Sequence, residues 1–144
     1  MKSILFHLGF FFLSVAVFAQ TEEDQIKAVI TSAYINGIQN GGPIEDIRKG
    51  FHPSFVMQRF IDNEVKPLSI EEWIVNIEKS RAQNATASSV KTEGKFISIS
   101  VVGTSANVAL ELYRADKKIF TDNLLLYKVK EDWRIVAKSY YRHP

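Results

Sequence analysis

Two hydrophobic periods divide this chain. In the first half apolar residues recur every three or four positions. Ile26, Val29, Ile30, Ala33, Tyr34, Gly37 and Ile38 keep helical spacing and leave one face apolar over about four turns. Thr21 can cap that helix, with Glu22, Glu23 and Asp24 in its first turn, and Gly41-Gly42-Pro43 stops it. Ile44, Ile47 and Arg48 predict a short second helix ending at Gly50. Phe55 to Phe60 reads as a strand and Asp62-Asn63 as a turn. Ser69-Ile70-Glu71-Glu72 is a capping box, and Leu68 and Trp73 are placed for a hydrophobic staple. Ile70, Trp73, Ile74 and Ile77 form the buried stripe of a third helix, followed by a small polar loop from Gln83 to Ser89.

From Val90 onward the period is two. Ile97, Ile99 and Val101 alternate with serines, and Val108, Leu110 and Leu112 alternate with more polar positions. Leu124 and Leu126 follow, then Trp133, Ile135 and Ala137. Turn signals at Gly103-Thr104, Ala115-Asp116-Lys117 and Glu131-Asp132 separate four strands of an antiparallel meander. Gly94 within the first of these predicts a bend or bulge. The expected class is α+β, with N-terminal helices on one face of an antiparallel sheet.

The first nineteen residues follow neither period. One lysine precedes a nearly unbroken apolar run from Ile4 to Phe18, and Val17-Phe18-Ala19 has small residues where a signal peptidase reads. The run is shorter than the roughly 20 residues that span a bilayer. A secretory signal cleaved after Ala19 is expected, leaving residues 20–144 as one exported domain, periplasmic or secreted, with no membrane span.

Composition removes several chemistries. Across 144 residues, 18 Lys+Arg stand against 16 Asp+Glu, which excludes a strongly basic nucleic-acid binder. The absence of cysteine excludes disulfides, thiolate metal sites and a Cys nucleophile. His52 and His143, the histidines beyond the leader, have no ligand partner at helical spacing, so no metal or other cofactor is expected. Neither a phosphate-cradling loop nor a serine nucleophile elbow occurs. Asn84-Ala85-Thr86 fits a glycosylation acceptor, relevant only in a eukaryotic secretory route.

One carboxylate stands out. Asp122 interrupts the apolar series Phe120, Leu124, Leu126. If the turn at Glu131-Asp132 is even in length, these residues share a face with Trp133, Ile135, Ala137, Ser139 and Tyr141. Arg134, Val136, Lys138, Tyr140 and Arg142 then form the wetter opposite face, and Arg134, Lys138 and Arg142 a basic row that is solvated or turned to a second copy. Asp122 is expected to point toward the helices, across from Ser139 or Tyr141. A carboxylate there needs a partner or a pocket role.

Three further motifs accompany this pattern: Phe51-His52-Pro53 with Phe55, then Thr121-Asp122-Asn123-Leu124-Leu125-Leu126-Tyr127-Lys128, then Trp133-Arg134-Ile135-Val136-Ala137-Lys138. Their order resembles the nuclear-transport-factor-two-like superfamily, and their local sequence is closer to its lumazine-binding branch of small bacterial proteins. The tight Asp-Gly usual before the tryptophan is replaced by Lys130-Glu131-Asp132. The resemblance implies a cone-shaped, cystatin-like fold with a strongly bent sheet, a cavity between helices and concave sheet, and a homodimer through the outer sheet face. The branch's name does not establish lumazine as the ligand.

The candidate ligand-binding residues are Tyr34, His52, Phe55, Met57, Trp73, Asp122 and Tyr141, and the expected partner is a small apolar or aromatic molecule. Catalysis of the ketosteroid-isomerase or dehydratase type would use Asp122 with His52, but a second acidic donor for isomerisation is missing. His52 also has a purely structural alternative, bonding the backbone where a helix ends. The leading expectation is a binder without established catalysis. The rivals are a lyase or isomerase, and a protein-interaction module.

Overall fold

The structure is a computed structural model that describes residues 20–83 and 90–144. The expected leader, the Asn84-Ala85-Thr86 motif and most of the Gln83–Ser89 loop lie outside the described residues. Thr21 caps α1 (Glu22–Val29), accepting the Asp24 amide at 3.1 Å. The helix continues without a break as a π-helix (Ile30–Gln39), which buries Ile35 beside the expected Ala33 and Tyr34. Two more helices follow, α2 (Ile44–Gly50) and α3 (Ile70–Gln83). Arg81 of α3 donates to the carbonyls of Gly37 and Gly42, tying it to the end of the first helix.

Six strands form one sheet: β1 (Phe51–Ile61), β2 (Glu64–Ser69), β3 (Thr92–Val102), β4 (Ser105–Arg114), β5 (Lys117–Val129) and β6 (Asp132–Arg142). Their spatial order is β2-β1-β6-β5-β4-β3. The last four are the expected antiparallel meander, while β1 adds to β6 in parallel, a pairing that local pattern does not reveal. β1 starts four residues earlier than expected, at Phe51, because its ladder to β6 is irregular between Phe51 and Val56 and tolerates Pro53 there.

Left-handed residues close the tight turns: Asp62 and Asn63, Ala115 and Asp116, and Lys130. The Lys130-Glu131 turn spans the two residues between the Val129↔Asp132 pair, so its length is even, as the parity argument requires. Bulges then shift the register at Ile97, Ile119 and Val136. Each bends its strand and adds twist, curving the sheet around the helices. The bulge expected at Gly94 lies instead at Ile97. Gly94 serves packing, since a Cβ there would sit 2.3 Å from Ile35 Cδ1.

The Val136 bulge overturns half of the expected facing of β6. Trp133 and Ile135 precede it and point inward with Leu126, as parity predicts. Beyond it Lys138 aligns with Leu124, Tyr140 with Asp122, and Arg142 with Phe120. Lys138 and Tyr140 therefore join the concave face, while Ala137, Ser139 and Tyr141 turn outward. The basic row of Arg134, Lys138 and Arg142 does not exist as one surface.

Candidate functional site

A cluster of aromatic rings sits within a largely aliphatic core. Phe51 and Phe55 come from the first turns of β1, and Trp73 from the first turn of α3. Phe55 stacks on Trp73 with ring centroids 6.0 Å apart, and Phe51 meets Phe55 edge-on at 4.8 Å. Tyr34 reaches this cluster from the π-helix, 6.1 Å from Trp73 and 6.4 Å from Phe51.

Asp122 enters the same interior from β5 and is 0% exposed. The Tyr34 hydroxyl donates to its Oδ2 at 2.6 Å. The Lys138 ammonium, 4% exposed, lies 2.9 Å from its Oδ1. That second contact lacks hydrogen-bond alignment, so it is ionic in character. Four ring centroids surround Nζ: Tyr140 at 4.4 Å, Tyr34 at 5.0 Å, Phe120 at 5.8 Å and Trp73 at 5.9 Å. A cation facing aromatic faces is attracted by their quadrupoles, and more strongly when desolvated. Met57, opposite Lys138 in the parallel ladder, closes the floor.

Burial sets the electrostatics. It pushes the Tyr34 phenol well above its ordinary value, and the adjacent Asp122 charge and hydrogen bond push it further. Burial also lowers the Lys138 ammonium, with the charge of Asp122 pulling in the opposite direction. The phenol is thus held as a donor, while the amine is closer to neutrality than an exposed lysine.

The fold brings Tyr34, Phe55, Met57, Trp73 and Asp122 together, and leaves two candidates outside. Tyr141 is 63% exposed on the outer face, because the Val136 bulge reverses its parity. Tyr140, not Ser139 or Tyr141, stands across from Asp122. His52 lies on the outer side of β1, where its Nδ1 faces the Ser54 hydroxyl at 2.7 Å and the Ser54 amide at 3.2 Å. That local turn corrects the proposed His52–Asp122 pair: the partners of Asp122 are Tyr34 and Lys138. The Tyr34 hydroxyl also donates its hydrogen bond to Asp122, rather than presenting it to a developing oxyanion.

Lys138 and Tyr140 are the interior residues that strict alternation missed, while Phe120 faces inward as alternation expects. A signal was available, since an inward carboxylate demands a cation and the facing strand offered one. Two surface hollows flank the cluster. A groove of about 390 Å³ runs across the outer sheet face along Gln58, Ser98, Asn107, Asn123 and Ser139. A cleft of about 270 Å³ at the end of the sheet is lined by Ile119, Phe120, Arg114, Lys117, Arg142 and His143. Among the described residues no cluster of three His, Asp or Glu could hold a metal ion, and no helix is long and apolar enough to cross a membrane.

Residues 21–141 match the model of the family described as "Putative lumazine-binding". Among solved structures, the chain is similar to an NTF2-like protein of unknown function from Silicibacter pomeroyi, with TM-score 0.67 and 21% identity over 83% of this chain and 93% of that one. An NTF2-like protein of unknown function from Methylobacillus flagellatus gives TM-score 0.64 and 24% identity, covering 91% of this chain and 98% of that one. A cystatin-like domain of unknown function from Nostoc punctiforme gives TM-score 0.65 and 14% identity, covering 88% of this chain and 80% of that one. No curated protein matches.

Proposed function

The chain belongs to the putative lumazine-binding family of the nuclear-transport-factor-two-like superfamily, and from that premise we propose that it binds a small, largely aromatic molecule inside the cone, at the Tyr34–Asp122–Lys138 cluster. One observation carries the reading: a fully buried ion pair is enclosed by four aromatic rings. Such a pair costs several kcal/mol of desolvation per ion, and well-packed apolar residues would serve the fold equally well. Charged groups kept at that cost in a concave interior support a ligand site there. The rings supply stacking surface, and the ammonium and carboxylate supply orientation. Binding needs no turnover, and the isomerase and dehydratase sets remain incomplete here.

The test is native mass spectrometry of residues 20–144 purified gently from the exported fraction, followed by denaturing extraction. The reading expects a bound organic mass that disappears in Lys138→Met/Asp122→Leu. Retention of the same mass by that folded variant refutes the site. Export is part of the proposal, and N-terminal sequencing of the secreted protein should begin at Gln20.

A second reading concerns the outer face. Its groove is floored by Ser98, Asn107, Ala109, Asn123, Ala137 and Ser139, small or short side chains that permit close approach of another sheet. The exposed Val102, Tyr127 and Tyr141 lie on the same face. We propose a homodimer through this face. Ala109→Arg with Ala137→Arg should yield a monomer in sedimentation, and an unchanged dimer would place the interface elsewhere.

A further inference from the structure

The amine of Lys138 is more than a countercharge. Its Nζ stands 2.9 Å from Asp122 Oδ1, an oxygen with no aligned donor, and the same carboxylate holds the Tyr34 hydroxyl at 2.6 Å. A nucleophile, a proton acceptor and a proton donor thus meet in one buried cluster. The cluster lies one side chain from the surface at the end of the sheet. The half-buried Phe120 ring lies 5.8 Å from Nζ and also lines the 270 Å³ cleft at the end of the sheet. Of the four rings around the amine, Phe120 alone also lines this cleft.

We propose that Lys138 captures a small aromatic aldehyde or ketone as a Schiff base. This names the ligand class for the binding reading above and rests on it. In the step, the ammonium first gives a proton to Asp122. The Nζ lone pair then forms a bond to the carbonyl carbon, and the carbonyl π electrons move to oxygen, which takes the proton from the protonated Asp122. The nitrogen of this adduct, carrying two protons and a positive charge, passes one proton through Asp122 to the hydroxyl, and loss of water leaves a protonated imine. In balance, the ammonium and the carbonyl compound give the iminium ion and one water, with no oxidant or reductant.

Charge conservation is what makes this cage suited to the reaction. Ammonium and iminium both carry one positive charge, so the Asp122 carboxylate and the four rings face a cation before and after. The buried site requires no new countercharge at any resting stage. Burial favours the neutral, nucleophilic amine, since each unit of pKa lowering raises its neutral fraction about tenfold near neutral pH.

The experiment incubates the purified protein with benzaldehyde, adds sodium borohydride to fix any imine, and maps benzylated lysines by peptide mass spectrometry. Benzyl alcohol, which has the ring but no carbonyl, is run in parallel by calorimetry. Lys138 should be labelled ahead of the exposed Lys91, Lys117 and Lys130. Lys138→Arg should lose that label, and Asp122→Asn should slow it. The map of the unmutated chain decides the matter even where a variant fails to fold. Labelling confined to exposed lysines, with benzyl alcohol still binding, overturns capture and leaves the binding reading standing. If benzyl alcohol also fails to bind and Lys138 stays unlabelled, both fall.

Discussion

Removing the buried charges in steps separates a structural role from a functional one. Lys138→Met keeps the side-chain length and places a thioether among rings that favour sulfur. It also leaves Asp122, 0% exposed, with Tyr34 as its remaining partner. Breaking one side of such a pair costs about 3–5 kcal/mol. The double variant Lys138→Met/Asp122→Leu removes both charges but strands the Tyr34 hydroxyl, at about 1–3 kcal/mol. The triple variant that adds Tyr34→Phe removes that debt as well. It should equal the parent protein or exceed it, by up to about 4 kcal/mol. At about 4 °C per kcal/mol for a chain of this size, the single variant should melt roughly 12–20 °C below the parent and the triple at or above it. Urea unfolding followed by tryptophan fluorescence, with m-values compared, provides the free energies. The reasoning is refuted if the triple variant is as unstable as the single. The ion pair would then be a net stabiliser of the fold, and its presence would be no argument for a ligand.

Three more outcomes follow from the same geometry. Stability should rise with pH from the lowered ammonium value of folded Lys138 up to about pH 10, because the unfolded chain binds more protons there. It should fall above pH 10, where unfolded tyrosine ionises and Tyr34 does not; pH-dependent urea midpoints should show both arms, and the triple variant should flatten them. Gly50→Ala would set a Cβ 2.2 Å from Ala33 Cβ and 3.1 Å from Val29 Cγ2, so forcing α2 from the first helix should cost about 1–3 kcal/mol in thermal unfolding. Asn40 bonds both the amide and the carbonyl of Thr92, at 2.8 and 2.9 Å, so Asn40→Ala should cost about 1–3 kcal/mol and speed hydrogen exchange at the start of β3.

Much of this molecule was legible because period and punctuation agreed. Thr21 and Ser69 sit where helices begin, Gly41-Gly42-Pro43 where one ends, and the change from period three-and-a-half to period two marks the passage from helices to meander. The parallel docking of β1 on β6 was not legible, since it joins segments about eighty residues apart and leaves no local trace. Nor was the π-helical turn, whose effect on burial is the inward placing of Ile35.

The facing of β6 is the instructive case, because alternation was right on one side of a single residue and wrong on the other. Apolar parity runs Trp133, Ile135 and then slips at Val136-Ala137, two apolar residues in succession. Counting straight through that slip assigns Lys138 to solvent and Tyr141 to the interior. Energetics would have corrected the count. An inward Asp122 opposite serine or an exposed tyrosine leaves a buried charge uncompensated, at several kcal/mol. One bulged residue exchanges that arrangement for a carboxylate facing an ammonium and a phenol. The bulge therefore does for this site what a catalytic loop does elsewhere: it departs from regular structure in order to aim one side chain. Lys138 holds its place because Asp122 was already committed inward by Leu124 and Leu126, and the register of β6 had to yield to the charge.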